Sequence, residues 1–453
     1  MRLKVLYLVP LLSTCLLFNI SKELLSFDIA SLSYKIEQQV LKNINTDSIS
    51  NIDKHLQYLL DQKDYFTLRN EFNKTKDSLN RKSVLYFSAF LENAFLHPEE
   101  SNTAIQSLLT ELKSELSDST IARLLIIQED NYIKLFQYKN ACSTAETLIG
   151  FYKHVLDSAK IEDENNNIDL WCSLGSVEPQ TIFIKQDSKI PYTRNIVNLL
   201  NIPVNISGNT CDFMFDTGAD ICVLRKSYSE KLNLRFLNST IDVKGTTGIK
   251  NSSQLAIADS IQIGDIVIKN VVFLILPDEK LTFPQINLVI DGIIGFPVIH
   301  QLKELRFSKD GFFTVPVIPT KSSLRNLALS TTKTIVQLTC NNDTLHFRFD
   351  TGANGSELYS KYYKLHKTDI EKNAILDTLT YGSLGEISNI KIFKLMNFSV
   401  NFKGNIVILP HISVFTKDLR EEYNMFYGCI GQDFISLFDE IIINYEYMFV
   451  DFN

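Results

Sequence analysis

The sequence has few of the residues and patterns that mark common chemistries. Its seven cysteines, at 15, 142, 172, 211, 222, 340 and 429, form no CxxC pair, so neither a zinc site nor a redox pair is expected. Seven scattered histidines give no HExxH cluster, and there is no GxGxxG run, phosphate loop or GxSxG nucleophile turn. No metal and no cofactor is therefore expected. No run of Lys or Arg stands out, and the net charge is −7, from 45 basic and 52 acidic residues. Nucleic acid is a poor partner for such a surface. After residue 20 no segment is long and apolar enough to cross a bilayer.

Hydrophobic residues make up 45% of the 453 positions, an ordinary value for a folded chain of two or three domains. Residues 1–20 stand apart: Arg2 and Lys4 precede an apolar stretch from Val5 to Ile20. A short basic start and a brief apolar run describe a signal peptide or an N-terminal anchor. Leu12-Ser13-Thr14-Cys15 has the outline of an acylation box, so lipidation stays open. The expectation is an exported protein, periplasmic or extracytoplasmic, touching a membrane through this segment alone if it is uncleaved.

Residues 28–175 read as helical. Tyr86, Ala89, Phe90 and Ala94 recur at three- and four-residue spacing within Arg81–Leu96. A break at His97–Ser101 precedes a helix from about Asn102 to Leu116. Asp118-Ser119 is expected to cap a third helix, and Lys139 to Leu156 makes a fourth. The pairs start near 82 and 118, close to the tetratricopeptide (TPR) period of about 34 residues. Two readings of this helix-hairpin array stand side by side: a plain helical domain, and a TPR-like surface that docks a protein partner.

From about residue 180 short β-branched runs alternate with turn residues, as in Asn195–Ile206, Ile261–Leu276, Lys391–Val400 and Ile441–Phe449, an all-β pattern. A stretch rich in Ser and Thr, 317–333, reads as a linker between halves at 180–316 and 334–453. Those halves are copies. Ile202–Ile206, a Ser-Gly-Asn turn and Phe213-Met-Phe lead into Asp216-Thr217-Gly218-Ala219. Ile335–Leu338, an Asn-Asn-Asp turn and Phe347-Arg-Phe lead into Asp350-Thr351-Gly352-Ala353. Gly292-Ile-Ile-Gly295 and Gly428-Cys-Ile-Gly431 follow at nearly equal distance. Between them lie the polar tips Gly245-Thr246-Thr247-Gly248 and Gly382-Ser383-Leu384-Gly385. One Asp-Thr-Gly is an ordinary turn; two in the same four-part order are a duplicated unit.

This unit resembles the aspartic peptidases, and Asp-Thr-Gly-Ala resembles their retropepsin-like branch, including exported bacterial members with tandem lobes. The resemblance covers residues 180–453. It implies an all-α array followed by an all-β bilobal pepsin/retropepsin-like fold, with catalytic Asp216 and Asp350 facing one cleft. Two carboxylates a hydrogen bond apart cannot both ionise cheaply, so they share a proton and act as acid and base on a water. Gly218 and Gly352 would let the loops pack closely. Thr217 and Thr351 would turn inward and lock the opposite loop, and the glycine-flanked tips would be flaps over a polypeptide substrate. Where the pepsin branch places Ser or Thr, Ala219 and Ala353 offer no hydroxyl to the carboxylates. The dyad should therefore titrate higher and work at mildly acidic to near-neutral pH. The copies differ at Asp220 and Asn354, at Asp291 and Tyr427, and at Phe296-Pro297 and Gln432-Asp433. The rival reading is a non-catalytic peptide-binding or scaffold protein with a degenerate protease fold. Pairing of lobes between chains is a further alternative, which the short linker disfavours.

Overall fold

The computed structural model describes residues 49–244, 250–340, 343–383, 386–418 and 420–453. The segment 1–20 and the start of the expected helical domain lie outside them. Among the described residues the helical part holds α1 (Ile49–Asp61), α2 (Tyr65–Thr75), α3 (Arg81–Ala94), α4 (Pro98–Glu111), α5 (Asp118–Lys134), α6 (Tyr138–Tyr152) and α7 (Ser158–Ser173).

The repeat is visible in the joints. Asn80, Ser117 and Asp157 each accept a hydrogen bond from the backbone N–H three residues on, at the start of α3, α5 and α7. Such a cap satisfies a donor that the helix itself cannot. The chain reverses inside successive hairpins at Lys63, Leu96 and Phe136, each with positive φ. Two expectations are corrected here. The helix expected from Asn102 begins at Pro98, because proline has no N–H to lose at the first helical position and Glu99 and Glu100 suit the positive end of the dipole. The third helix is capped by Ser117, whose Oγ accepts from Thr120 N, rather than by Asp118-Ser119. Cys142 and Cys172 form a disulfide that ties α6 to α7, whereas Cys222, Cys340 and Cys429 are buried and free.

The β region is two barrel-like lobes joined by a shared sheet. In the first lobe Gly292–Ile294 runs parallel to Asn209–Phe215 and antiparallel to Cys222–Arg225. In the second, Gly428–Ile430 runs parallel to Asp343–Phe349 and antiparallel to Glu357–Leu358. Strand alternation follows the period-two pattern: in Leu200–Ile206 every second side chain is buried. Phe213, Phe215, Phe347 and Phe349 all point into the core.

The halves are less separate than a linker implies. Within the stretch read as linker, Leu327–Ser330 is a strand paired with Lys333–Cys340. The second-lobe strand Glu440–Asn444 pairs with Glu304–Ser308 of the first lobe, in a five-stranded sheet drawn from both. The helical array touches both lobes as well. Lys63 Nζ donates to Ser330 Oγ at 2.9 Å and Arg69 to the Arg325 carbonyl at 3.2 Å, while Phe136 stacks on His300 at 5.5 Å. One apolar core runs from Leu56 in α1 to Phe452.

Candidate active site

Each Asp-Thr-Gly-Ala begins where an apolar strand ends. Asp216 N–H donates to the Ile294 carbonyl and Asp350 N–H to the Ile430 carbonyl, both at 3.0 Å. The strand behind each loop thus sets the height of its aspartate. The chain then turns, Ala219 N–H reaching Asp216 O and Ala353 N–H reaching Asp350 O at 3.2 Å. Gly218 N–H donates to Asp216 Oδ1 at 2.7 Å and Gly352 N–H to Asp350 Oδ1 at 2.9 Å.

The two loops interlock. Thr217 Oγ1 donates to the Phe349 carbonyl (2.8 Å) and accepts from Thr351 N–H (3.0 Å). Thr351 Oγ1 donates to the Phe215 carbonyl (2.7 Å) and accepts from Thr217 N–H (3.0 Å). Both threonines are 1% exposed, so these four bonds exclude water and hold the loops in one mutual position. A Cβ at Gly218 would overlap the Asp350 carboxyl, and one at Gly352 would overlap that of Asp216. Only a residue without a side chain permits this approach. The two carboxyls lie within a hydrogen bond of each other, in one chain.

Burial, then the Asp350 charge, pushes Asp216 up to about 8, against the Gly218 N–H bond and Lys333, which act the other way. Lys333 Nζ sits on the Gly218 carbonyl at 2.8 Å and pairs with Asp220 at 2.7 Å. Ala219 and Ala353 carry no hydroxyl, so the carboxylates receive none from that position.

Of the expected flap residues, Gly245, Thr246, Thr247, Gly248 and Gly385 lie outside the described residues. Gly382 and Ser383 end the strand Ile375–Ser383, opposite Ile387 and Glu386 in a hairpin. Among the described residues one trio, Cys142, Glu146 and Cys172, brings metal-ligand atom types within 4.8 Å. Its two sulfurs are bonded to each other, so no thiolate is offered.

Of the residues that distinguish the second lobe, the sequence marked Gln432 and Asp433 as differences without a role and passed over Arg348. Gln432, where the first lobe has Phe296, donates to the Thr351 carbonyl at 2.8 Å and accepts from Arg194 at 2.7 Å. Asp433 accepts from Ser356 N–H and Oγ at 2.8 and 2.6 Å. Arg348 lies 3.4 Å from Asp350. The signal was a charged residue between Phe347 and Phe349, in a strand whose copy has Met214 there.

Residues 202–298 match the family model of aspartyl proteases. Among solved structures, the chain is similar to a crystal structure of a retropepsin-like aspartic protease from Rickettsia conorii. The two are 18% identical, the match covers 30% of this chain and 95% of that one, and the TM-score is 0.20. No curated protein matches the chain. The molecule is a helix-hairpin array followed by an all-β, bilobal fold of the aspartic-protease type.

Proposed function

We propose that this protein is an aspartic endopeptidase that hydrolyses peptide bonds with a water held between Asp216 and Asp350. The observation that carries the reading is the hydrogen-bonded carboxyl pair, one from each lobe, on loops locked by Thr217 and Thr351. A pair sharing one proton is base and acid at once. It removes a proton from water as the oxygen bonds to the carbonyl carbon, and it protonates the carbonyl oxygen. In the collapse the amide nitrogen takes a proton and leaves with the C–N electron pair, and the dyad returns to its starting state. The working form is the singly ionised pair, which titrates as a unit. With Asp216 raised to about 8, turnover is expected at mildly acidic to near-neutral pH. A profile peaking below about pH 3 contradicts this.

We also infer export, from the apolar first twenty residues and from the Cys142–Cys172 disulfide, a bond that persists in oxidising compartments. The test of the enzyme reading is digestion of a proteome-derived peptide mixture by wild type, Asp216→Asn and Asp350→Asn. Cleavage by wild type alone supports it. Cleavage by none overturns it in favour of a peptide-binding scaffold, and equal cleavage by all three overturns the assignment to these two aspartates.

A further inference from the structure

The two aspartates stand on duplicated strands, so the rows of side chains around them can be compared position by position. Two residues before Asp216 is Met214, which lies beside Ile293, then Val223, then Leu274 on successive strands. All four are buried and apolar. The matching row two residues before Asp350 is Arg348, Cys429, Glu357 and Ser413. Residues i and i+2 of a strand share a face, so Arg348 is on the side of the sheet from which Asp350 projects.

Arg348 is 8% exposed, as is Glu357. The guanidinium Nη2 is 3.4 Å from Asp350 Oδ2, Nη1 donates to Tyr359 OH at 3.2 Å, and the group lies over the Tyr423 ring at 4.7 Å. A buried cation is costly unless paired, and two carboxyls are near this one. Burial raises Glu357 to about 7, with Arg348 opposing. Burial thus holds Glu357 toward its neutral form, and the carboxyl that the guanidinium touches directly is that of Asp350, at 3.4 Å. Asp350 also faces Asp216, Tyr423 and Cys429, none of them a cation. On the Asp216 side the cation is Lys333, already paired with Asp220 at 2.7 Å.

We propose that Arg348 is a positioning residue that breaks the symmetry of the dyad, holding the negative charge on Asp350 and leaving the shared proton on Asp216. The proposal rests on the reading of the pair as catalytic and assigns the roles within it. Asp350 takes the proton of the attacking water, and Asp216 gives its proton to the carbonyl oxygen. In the collapse Asp350 passes its proton to the leaving nitrogen, and Asp216 recovers one from the hydroxyl that becomes the new carboxyl.

The test is the pH dependence of kcat/KM for wild type, Arg348→Met, Arg348→Lys and Glu357→Gln. Arg348→Met copies the first lobe, and removing a cation disfavours each ionisation of the dyad. Both limbs of the profile should move to higher pH, by about one unit for a charge at this distance. Arg348→Lys should restore most of that shift. Glu357→Gln should move the alkaline limb the other way, because an anion that hinders the second ionisation is gone. A purely structural role would not give opposite signs. Unmoved limbs in folded Arg348→Met, or limbs that Arg348→Lys leaves at the methionine position, overturn the proposal. Should Arg348→Met fail to fold, Arg348→Lys and Glu357→Gln decide it. Carboxyl 13C shifts of Asp216 and Asp350, assigned with the Asn variants, report which side chain carries the proton without turnover. Arg348-dependent shifts in an inactive protein would sink the enzyme reading and keep this one; turnover with shifts indifferent to Arg348 would do the reverse.

Discussion

The first lobe sets its aspartate on an apolar bed and the second sets its own on a charged one. Met214, Ile293 and Val223 lie where Arg348, Cys429 and Glu357 lie in the copy. The loops above these beds are nonetheless alike to within a few tenths of an ångström in every hydrogen bond that defines them. Loop geometry is therefore set by backbone pairing and the two threonines, and it tolerates a change of polarity one layer below. What the bed can alter is the energy of a charge placed above it. The duplicated fold keeps the constellation and leaves its electrostatics free to diverge.

That comparison can be broken or sharpened by experiment. The largest effect is expected from Asp216→Asn and Asp350→Asn, each lowering kcat/KM by about 10³-fold or more, as loss of a general acid–base does. Unequal residual rates would show that the two carboxyls are not one unit. Next, moving the charged bed to the other lobe should be costly. Met214→Arg buries a guanidinium among Ile293, Val223 and Leu274 and should destabilise by about 3–5 kcal/mol in denaturant unfolding. Thr217→Val and Thr351→Val should each cost about 2–4 kcal/mol, because each leaves a buried carbonyl and a buried N–H without a partner. Near-equal values confirm that the interlock is symmetric although the beds are not. Reduction of Cys142–Cys172 should lower stability by about 3 kcal/mol through the freed unfolded chain, with little change in kcat.

The comparison also carries a pH dependence of stability, read as a slope and not as a single loss. Asp216 titrates at about 8 in the fold and near 3.9 when unfolded. Between these values the folded state binds the extra proton, so this residue's contribution weakens as pH rises from about 4 to about 8. Asp216→Asn should remove that slope, leaving a variant more stable than wild type at pH 8 by on the order of a few degrees in Tm.

Much of this was legible before any coordinates. Two copies of strand, Asp-Thr-Gly-Ala and Ile-Gly lie in register along the chain, and each element is local enough for spacing to reveal it. The helical array was legible from its three- and four-residue spacing. Its joints were not, since Pro98 reads equally well as a stop and as a first helical residue. The strand at Leu327–Ser330 was hidden among serines and threonines because its pairing partner, not its composition, makes it a strand. Arg348 stood in plain view as an odd letter in an apolar strand, yet its consequence depends on which groups surround it.

The sequence alone determined that an Asp-Thr-Gly-Ala loop occurs twice, each on an apolar strand, because local pattern and turn chemistry act over a few residues. Only the tertiary structure decided that the two carboxyls meet within one chain, that the strand Glu440–Asn444 closes onto the first lobe, and that Arg348 lies against Asp350. Those outcomes depend on distances between residues far apart in the chain, and electrostatic energy follows distance and burial rather than order in the sequence.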